Sequence, residues 1–447
     1  MKNQTTKRSS FSGKIGFVLS AAGASVGLGN IWRFPYLAAK YGGGIFLLIY
    51  IILALTFGYT MIMAETSLGR MTKKSPVGAF ASFGNSRWSS LGGWINAIIP
   101  VLIVPYYSVI GGWVLKYLVE YVRGHAQTVA EDGYFSAFIS DGFSTEICFV
   151  IFSVITLAII YAGVRNGIER VSKFMMPILV VLSVIIAIYS VTRPGALAGV
   201  KYFLVPNISN FSWMTVVAAM GQMFYSLSIA MGILITFGSY MKKETSIEES
   251  TKNVEIFDTA IAIMAGLMII PAVFAFSGGD PDTLQAGPAL MFITIPKVFA
   301  SMGFGTFAGV MFFLLVLFAA LTSSIALTES AVSTFEDELG WSRKKSTVLC
   351  GVIMIALGSL SSLGYGPLAN VKIIGMQFLD FLTNSVMMPI AAIATCLFVS
   401  RVVGVKRIEE EVTYGGGTFK RRKVFLFMIQ YLCPIFAGII LLSSVAN

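Results

Sequence analysis

The chain has 447 residues, of which 56% are hydrophobic and only 12% charged, with a mean hydropathy of +0.80. Soluble domains carry about 25% charged residues, so this composition excludes a soluble globular protein and indicates a polytopic membrane protein. A net charge of +10 would suit nucleic acid, but most of the 32 Lys and Arg fall in alternate segments between apolar runs. That asymmetry is the positive-inside pattern, so the charge sets topology and no nucleic-acid partner is implied.

Eleven apolar segments reach the roughly 20 residues a bilayer crossing requires. They run from Ile15 to Ala39, Gly43 to Gly69, Leu91 to Tyr121, Glu146 to Val164, Ile168 to Val191 and Trp213 to Tyr240. The remainder run from Glu255 to Phe276, Gly303 to Phe335, Val348 to Leu363, Ile373 to Val399 and Val424 to Val445. The polar start MKNQTTKRSS enters the first span without a small-residue cleavage site, which argues against a cleaved signal peptide. Basic groups such as Arg70/Lys73/Lys74, Arg343/Lys344/Lys345 and Lys420 to Lys423 place the amino terminus in the cytoplasm and the carboxyl terminus outside. The expected class is an all-α integral membrane protein of the cell membrane, 1–447 forming one transmembrane domain in the lipid bilayer with no soluble domain.

The first span contains GASVGLGNIWRFP, from Gly23 to Pro35. Gly23, Gly27 and Gly29 weaken the helix, Asn30 adds an amide and Arg33 a full charge. Irregular backbone at membrane depth is tolerated only where protein buries it or it lines a cavity. Amide groups opening the half-helix near Gly29 suit a carboxylate. Carbonyls freed on the other side of the break suit a hard cation such as sodium. The sixth span holds a second interruption, GQMFYSLSIAMG from Gly221 to Gly232, with Ser226, Ser228 and Gly232 breaking the apolar face. Two broken helices five crossings apart indicate a five-plus-five inverted repeat, with a substrate at the midplane between them and an eleventh span outside that core. The repeats would cover about 12–191 and 213–400, and the extra helix 424–446.

Ionisable groups at membrane depth are costly and usually functional. The acidic ones are Glu65, Asp258, Glu329 and Asp380. Asp258 follows the second break and is the better ion ligand; Glu65 and Glu329 are equally well read as structural partners. Asp380 is the natural partner for Arg33 in an outer gate. AALTSS, from Ala319 to Ser324, offers the Thr322 and Ser323 hydroxyls beside a carbonyl at Ala319, although such residues also cap helix carbonyls. Tyr107 can present a hydroxyl to a carboxylate, or simply pack. The four cysteines read as apolar packing, and His125, the only histidine, falls in an outer loop, which leaves no histidine relay. The segment Gly278 to Pro296 reads either as a lid over the outer mouth or as an interfacial helix-turn.

VGLGNIWRFPYLAAKYGGGIFLLIY, with AETSLGR, GQMFYSLS and LTSSIALTES followed by FEDELGWSRKK, resembles the neurotransmitter:sodium symporter family over nearly the whole chain. The length resembles its eleven-helix prokaryotic amino-acid transporters. The resemblance implies a first sodium site from Ser25, Asn30, Ser226 and Asp258, completed by the substrate carboxylate. It implies a second from the carbonyls of Gly23, Val26 and Ala319 with the hydroxyls of Thr322 and Ser323. Leu28 and Gly29 amides with Tyr107 would hold the carboxylate; Ser25, Ile103, Tyr225, Ser228, Met231, Ser324 and Leu327 would line the rest of the pocket. Arg33 with Asp380 resembles the outer gate and Arg8 with Asp337 the inner one. Gly167 and Pro177 resemble a site of unwinding at the inner end of the fifth helix.

Chloride-dependent members have asparagine at the position of Asp258, so a fixed carboxylate there implies chloride-independent transport; Ala230 stands where a glycine is common. The expected function is sodium-coupled import of a neutral, hydrophobic or aromatic amino acid by alternating access, with two Na+ ions, no organic cofactor and no chloride. The competing expectations are a proton-coupled permease using Glu65 or Asp258, and a non-transporting amino-acid sensor. An enzyme is not expected, for no metal cluster, nucleophile–base set or phosphate loop stands out.

Overall fold

The computed structural model describes residues 8–84, 87–279, 287–366, 368 and 376–446. The described residues are helical with no β-strand. The first crossing is a bent pair, α1 (Lys14–Ser25) and α2 (Gly29–Lys40), which meet at 53°. Then come α3 (Gly44–Thr72), α4 (Ser89–Val122), α5 (Gly142–Tyr161) and α6 (Val164–Val191). The sixth crossing is a second interrupted pair, α7 (Trp213–Ser226) and α8 (Ile233–Tyr240). It is followed by α9 (Ile247–Ser277), the short α10 (Leu290–Ala300), α11 (Gly305–Leu339), α12 (Arg343–Leu363), α13 (Met376–Val412) and α14 (Arg422–Val445). Nine described helices are long and apolar enough to span alone, and the two interrupted pairs supply the other crossings.

Local chemistry explains where boundaries depart from hydropathy. The fourth crossing begins at Gly142, ahead of Glu146, because the Asp141 carboxylate accepts from the Phe143 and Ser144 amides at 3.2 and 3.4 Å and caps the helix. Gly163, with φ of 96°, separates α5 from α6, and Gly167 lies in a π-turn, Val164–Glu169, that is wound in this structure. The tenth crossing continues as helix through Val412, past the end expected at Val399. Its expected start at Ile373 lies outside the described residues. Arg70 anchors this extension, its Nε donating to Glu411 at 2.7 Å, and Arg421 grips Glu255 at 2.7 Å.

Within the segment expected as a lid, 280–286 lie outside the described residues. Beyond them, α10 is buried against α4: the Phe292 carbonyl accepts from Tyr117 at 2.8 Å and its ring meets Trp113 edge-on. At the centre, α11 packs on α4, α1 packs on α9 and α11, and α8 packs on α3. Both breaks are therefore buried within the helix bundle.

Candidate substrate and cation site

The first break begins where α1 ends at Ser25 and its cap, Val26, turns out of the helix at φ −76° and ψ 89°. Helix termini leave carbonyls without intrahelical partners. Here the Ala24 carbonyl accepts from Ser228 at 2.9 Å and from Ser323 at 3.1 Å, tying α11 and the second break to the first. Gly27 is required by close approach: a Cβ there would stand 2.6 Å from Ser323 Oγ and 3.1 Å from the Tyr107 hydroxyl. A Cβ on Gly29 would enter the Tyr225 ring. In the second break Ser228 and Ala230 adopt φ of 52° and 59°, left-handed values that cost a side chain about 1–2 kcal/mol each. Glu65 Oε1, buried on α3, accepts from the Ala230 amide at 2.8 Å and holds that strained turn. Ala230 thus fills the place of a glycine with outside support.

Two oxygen clusters lie at the breaks. In one, Asp258 Oδ1 accepts from Asn30 Nδ2 and from Ser226, both at 2.8 Å, and Oδ2 lies 3.0 Å from Ser226. Asn30 Oδ1 in turn accepts from the Gly27 amide at 3.3 Å. Tyr50 of α3 completes the cluster, its hydroxyl 3.0 Å from both Ser226 Oγ and Asp258 Oδ2. Ser25, on the adjoining end of α1, bonds the Ala21 carbonyl through its own hydroxyl, at 3.1 Å. In the other cluster, Ser323 Oγ lies 3.4 Å from the Gly23 carbonyl, and Thr322 donates to the Ala319 carbonyl at 3.1 Å. The side chain of Thr322 packs on Gly23, where an added Cβ would meet its own Cβ at 3.1 Å. Both sets are hard neutral or anionic oxygens, the ligand chemistry of an alkali or alkaline-earth cation and not of a soft metal.

Between the clusters is a small cavity of about 30 Å³. Ser25, Leu28, Gly29, Ile103, Tyr107, Tyr225, Ser228, Met231 and Leu327 all line it, and none of the lining residues among those described is charged. The Tyr107 hydroxyl lies 3.4 Å from the Leu28 amide, marking where a carboxylate would find donors. Ser324 is not part of this wall: its hydroxyl faces Thr156 of α5 at 3.2 Å.

The two ends of the molecule differ. Arg33, Asp380 and Tyr106 line a larger cavity of about 320 Å³ that also reaches Tyr225, the residue it shares with the small cavity. Arg33 sits 5.3 Å from the Tyr225 ring centroid; Asp380 accepts from Asn384 at 2.6 Å, and Arg33 and Asp380 form no ion pair within 4 Å. At the opposite end Arg8 is fully engaged, with Asp337 at 2.6 Å, Ser333 at 2.7 Å, Ser239 at 3.0 Å and the Tyr240 ring at 5.0 Å. Asp337 also accepts from the Ser75 amide at 2.6 Å, and Phe11 is buried beneath the pair against Phe17, Phe237 and Tyr240. Glu329 is a structural partner, taken by Arg343 at 2.5 Å and Tyr240 at 2.6 Å.

The model of the sodium:neurotransmitter symporter family matches residues 8–128 and 136–447. The chain belongs to that family. This symporter is 33% identical over 440 residues to an uncharacterized sodium-dependent transporter of Bacillus subtilis, YhdH, covering 97% of this chain and 96% of that one. It is 30% identical over 461 residues to an uncharacterized sodium-dependent transporter of Haemophilus influenzae, covering 99% and 100%. A mouse sodium- and chloride-dependent GABA transporter 2 is 28% identical over 388 residues, 74% of this chain and 62% of that one. Among solved structures, MhsT in complex with L-phenylalanine matches with a TM-score of 0.88 at 35% identity, covering 98% of this chain and 100% of the other. The symporter is a sodium-dependent membrane transporter and not an enzyme, with the interrupted first and sixth crossings of that fold.

Three residues escape sequence reasoning: Tyr50 and Gln222 at the symporter's breaks, and Thr156, which holds Ser324 away from the cavity. Gln222 donates to the Gly29 carbonyl at 2.9 Å and braces one break against the other. All three lie in helical runs where a polar tip reads as packing, and their partners are 168 to 208 residues away in the chain.

Proposed function

We propose that this protein imports a neutral amino acid with an apolar or aromatic side chain, driven by sodium and without chloride. The observation that carries this reading is the uncharged cavity wedged between two oxygen clusters and two sets of broken-helix termini. An amino acid would place its carboxylate toward Leu28, Gly29 and Tyr107, within reach of the Asn30–Ser226–Asp258 cluster, so that the first cation and the substrate share a ligand. Ile103, Met231 and Leu327 would receive an apolar side chain, and Tyr225 and Ser228 would add a hydroxyl contact. The likeness to a phenylalanine-bound transporter supports this substrate class. Ser25, Asn30, Ser226 and Asp258 would hold one sodium ion; Gly23, Val26, Ala319, Thr322 and Ser323 would hold a second.

In this proposal the structure represents an outward-facing stage, with the Arg8–Asp337 side latched and the Arg33–Asp380 side parted. The Arg8 side is cytoplasmic, the carboxyl terminus extracellular, and the two repeats, 12–191 and 213–400, rock around the site. Tyr225 moves over the occupied cavity, Arg33 approaches Asp380, and release of Arg8 then opens the other path. Two sodium ions carried with a zwitterion gain about 4.6 kcal/mol from a 100 mV potential. That supports roughly three decades of accumulation before the sodium gradient is counted.

The test is radiolabelled amino-acid binding to the purified protein in sodium, potassium and choline salts, repeated with gluconate replacing chloride, followed by uptake into proteoliposomes. Sodium-dependent binding that survives chloride removal, with uptake, is the expected result. Binding indifferent to sodium would favour a proton-coupled permease, and binding without uptake a sensor.

A further inference from the structure

Between α5 and α12, away from the transport path, a groove of about 720 Å³ opens on the lipid-facing surface. Its floor is made of small side chains: Ala158 and Ala356 are exposed, and Gly351 leaves so little room that a Cβ there would stand 3.0 Å from Leu157 Cδ1. Exposed Val348 and Val352 form one wall. The groove is lined almost wholly by apolar side chains, which suits a chain of methylenes.

Two features set it apart from ordinary lipid-facing helix. Thr347 lines the groove with only 4% of its surface exposed, yet its hydroxyl has no hydrogen-bond partner among the described residues. A helical threonine usually bonds a carbonyl three or four residues back, and an unpaired buried hydroxyl costs about 1–3 kcal/mol. The second feature is charge. Tyr161 closes the groove at one end, and Lys344 Nζ lies 5.5 Å above its ring. Lys344 and Lys345 are exposed and have no carboxylate within 4 Å among the described residues, whereas Arg343 is spent on Glu329. Glu329 bonds Tyr240, over which Arg8 lies, so these lysines sit at the Arg8 end of the molecule.

We propose that the groove binds one anionic phospholipid from the leaflet on the Arg8 side. One acyl chain occupies the apolar floor, the glycerol-ester region reaches Thr347 after rotation of its side chain, and the phosphate meets Lys344. Charge complementarity selects this occupant: basic side chains at headgroup depth attract anionic lipid, and a second copy of the chain would leave the lysines and Thr347 unanswered. The site is independent of which amino acid is transported.

Native mass spectrometry of the delipidated full-length protein, titrated with phosphatidylglycerol or phosphatidylcholine, tests the proposal. One phosphatidylglycerol is expected to remain bound under activation that strips phosphatidylcholine. Lys344→Ala is expected to weaken phosphatidylglycerol about fivefold, the weight of one basic side chain at an anionic surface, and to leave phosphatidylcholine unchanged. Ala356→Trp, filling the groove from its lipid side, is expected to remove the retained lipid while amino-acid binding in sodium persists. Equal retention of the two lipids by the native protein overturns the proposal, as does retention that neither substitution alters. A dimer that dissociates in Ala356→Trp would show instead that a second copy covers this face, and would overturn it too.

Discussion

Tyr50→Phe isolates the positioning of Asp258 from the ligands themselves. The hydroxyl of Tyr50 lies 3.0 Å from Asp258 Oδ2 and 3.0 Å from Ser226 Oγ, and removing it changes neither the shape of α3 nor its packing against Phe34. A hydrogen bond to a charged group contributes about 1.5–3 kcal/mol. Loss of an outer partner of a cation ligand commonly costs about 10–100-fold in affinity. The carboxylate keeps Asn30 and Ser226, at 2.8 Å each, so the low end applies and the sodium midpoint should rise about tenfold. The assay is equilibrium binding of a radiolabelled amino acid across a sodium titration, followed by an amino-acid titration at saturating sodium. The expected pattern is a displaced sodium midpoint with an unchanged number of sites and an unchanged amino-acid affinity at saturation. A native sodium midpoint would refute the view that Tyr50 orients the cluster, and a fall in the number of sites alone would show damage to folding.

Further outcomes follow from the same geometry. Asp258→Asn should render uptake chloride-dependent, since it withdraws the fixed charge; equal uptake in chloride and gluconate would contradict this. Asn30→Ala and Thr322→Ala should each weaken sodium-dependent binding, and normal sodium affinity in both would remove the assigned ligands. Gly29→Ala should abolish amino-acid binding by driving a methyl into Tyr225 while leaving the thermal transition in place, as binding and melting assays together would show. Arg8→Ala should release the closed end, read as faster deuterium exchange over residues 11–25 and a lower accumulation ratio. Lys73, beyond the end of α3, has its amine pushed down to about 8 by burial and by the nearby charges of Lys243 and Arg70. Its unfolded value is higher, so the unfolded chain binds more protons between the two and stability should rise as pH climbs from about 8. The melting temperature should show that rise, and Lys73→Met should flatten it.

The crossings and the two breaks were legible because they depend on composition over long windows and on glycine, serine and asparagine placed where lipid-facing helix would carry none. Asn30, Ser226 and Asp258 could be named for the same reason, as polar groups that an apolar span must justify. Tyr50 could not: it stands in FLLIYIIL, where a tyrosine looks like one more large apolar side chain, and only the meeting of α3 with α7 and α9 gives its hydroxyl a purpose. Ser324 shows the opposite limit. It adjoins Ser323, but successive residues on a helix point about a quarter-turn apart, so one hydroxyl meets the first break and the other meets Thr156. Helix ends were the least legible, being decided by single caps such as Asp141.

The bend of 53° in the first crossing has an evolutionary side. In the proposed site the carboxylate, common to all amino acids, is read by main-chain amides at Leu28 and Gly29, which most substitutions leave in place. The variable part of the substrate faces replaceable side chains at Ile103, Met231 and Leu327. A lineage built on this frame can exchange one cargo for another by point mutations in the second group alone, while the grip on the shared part and its tie to sodium pass down unaltered.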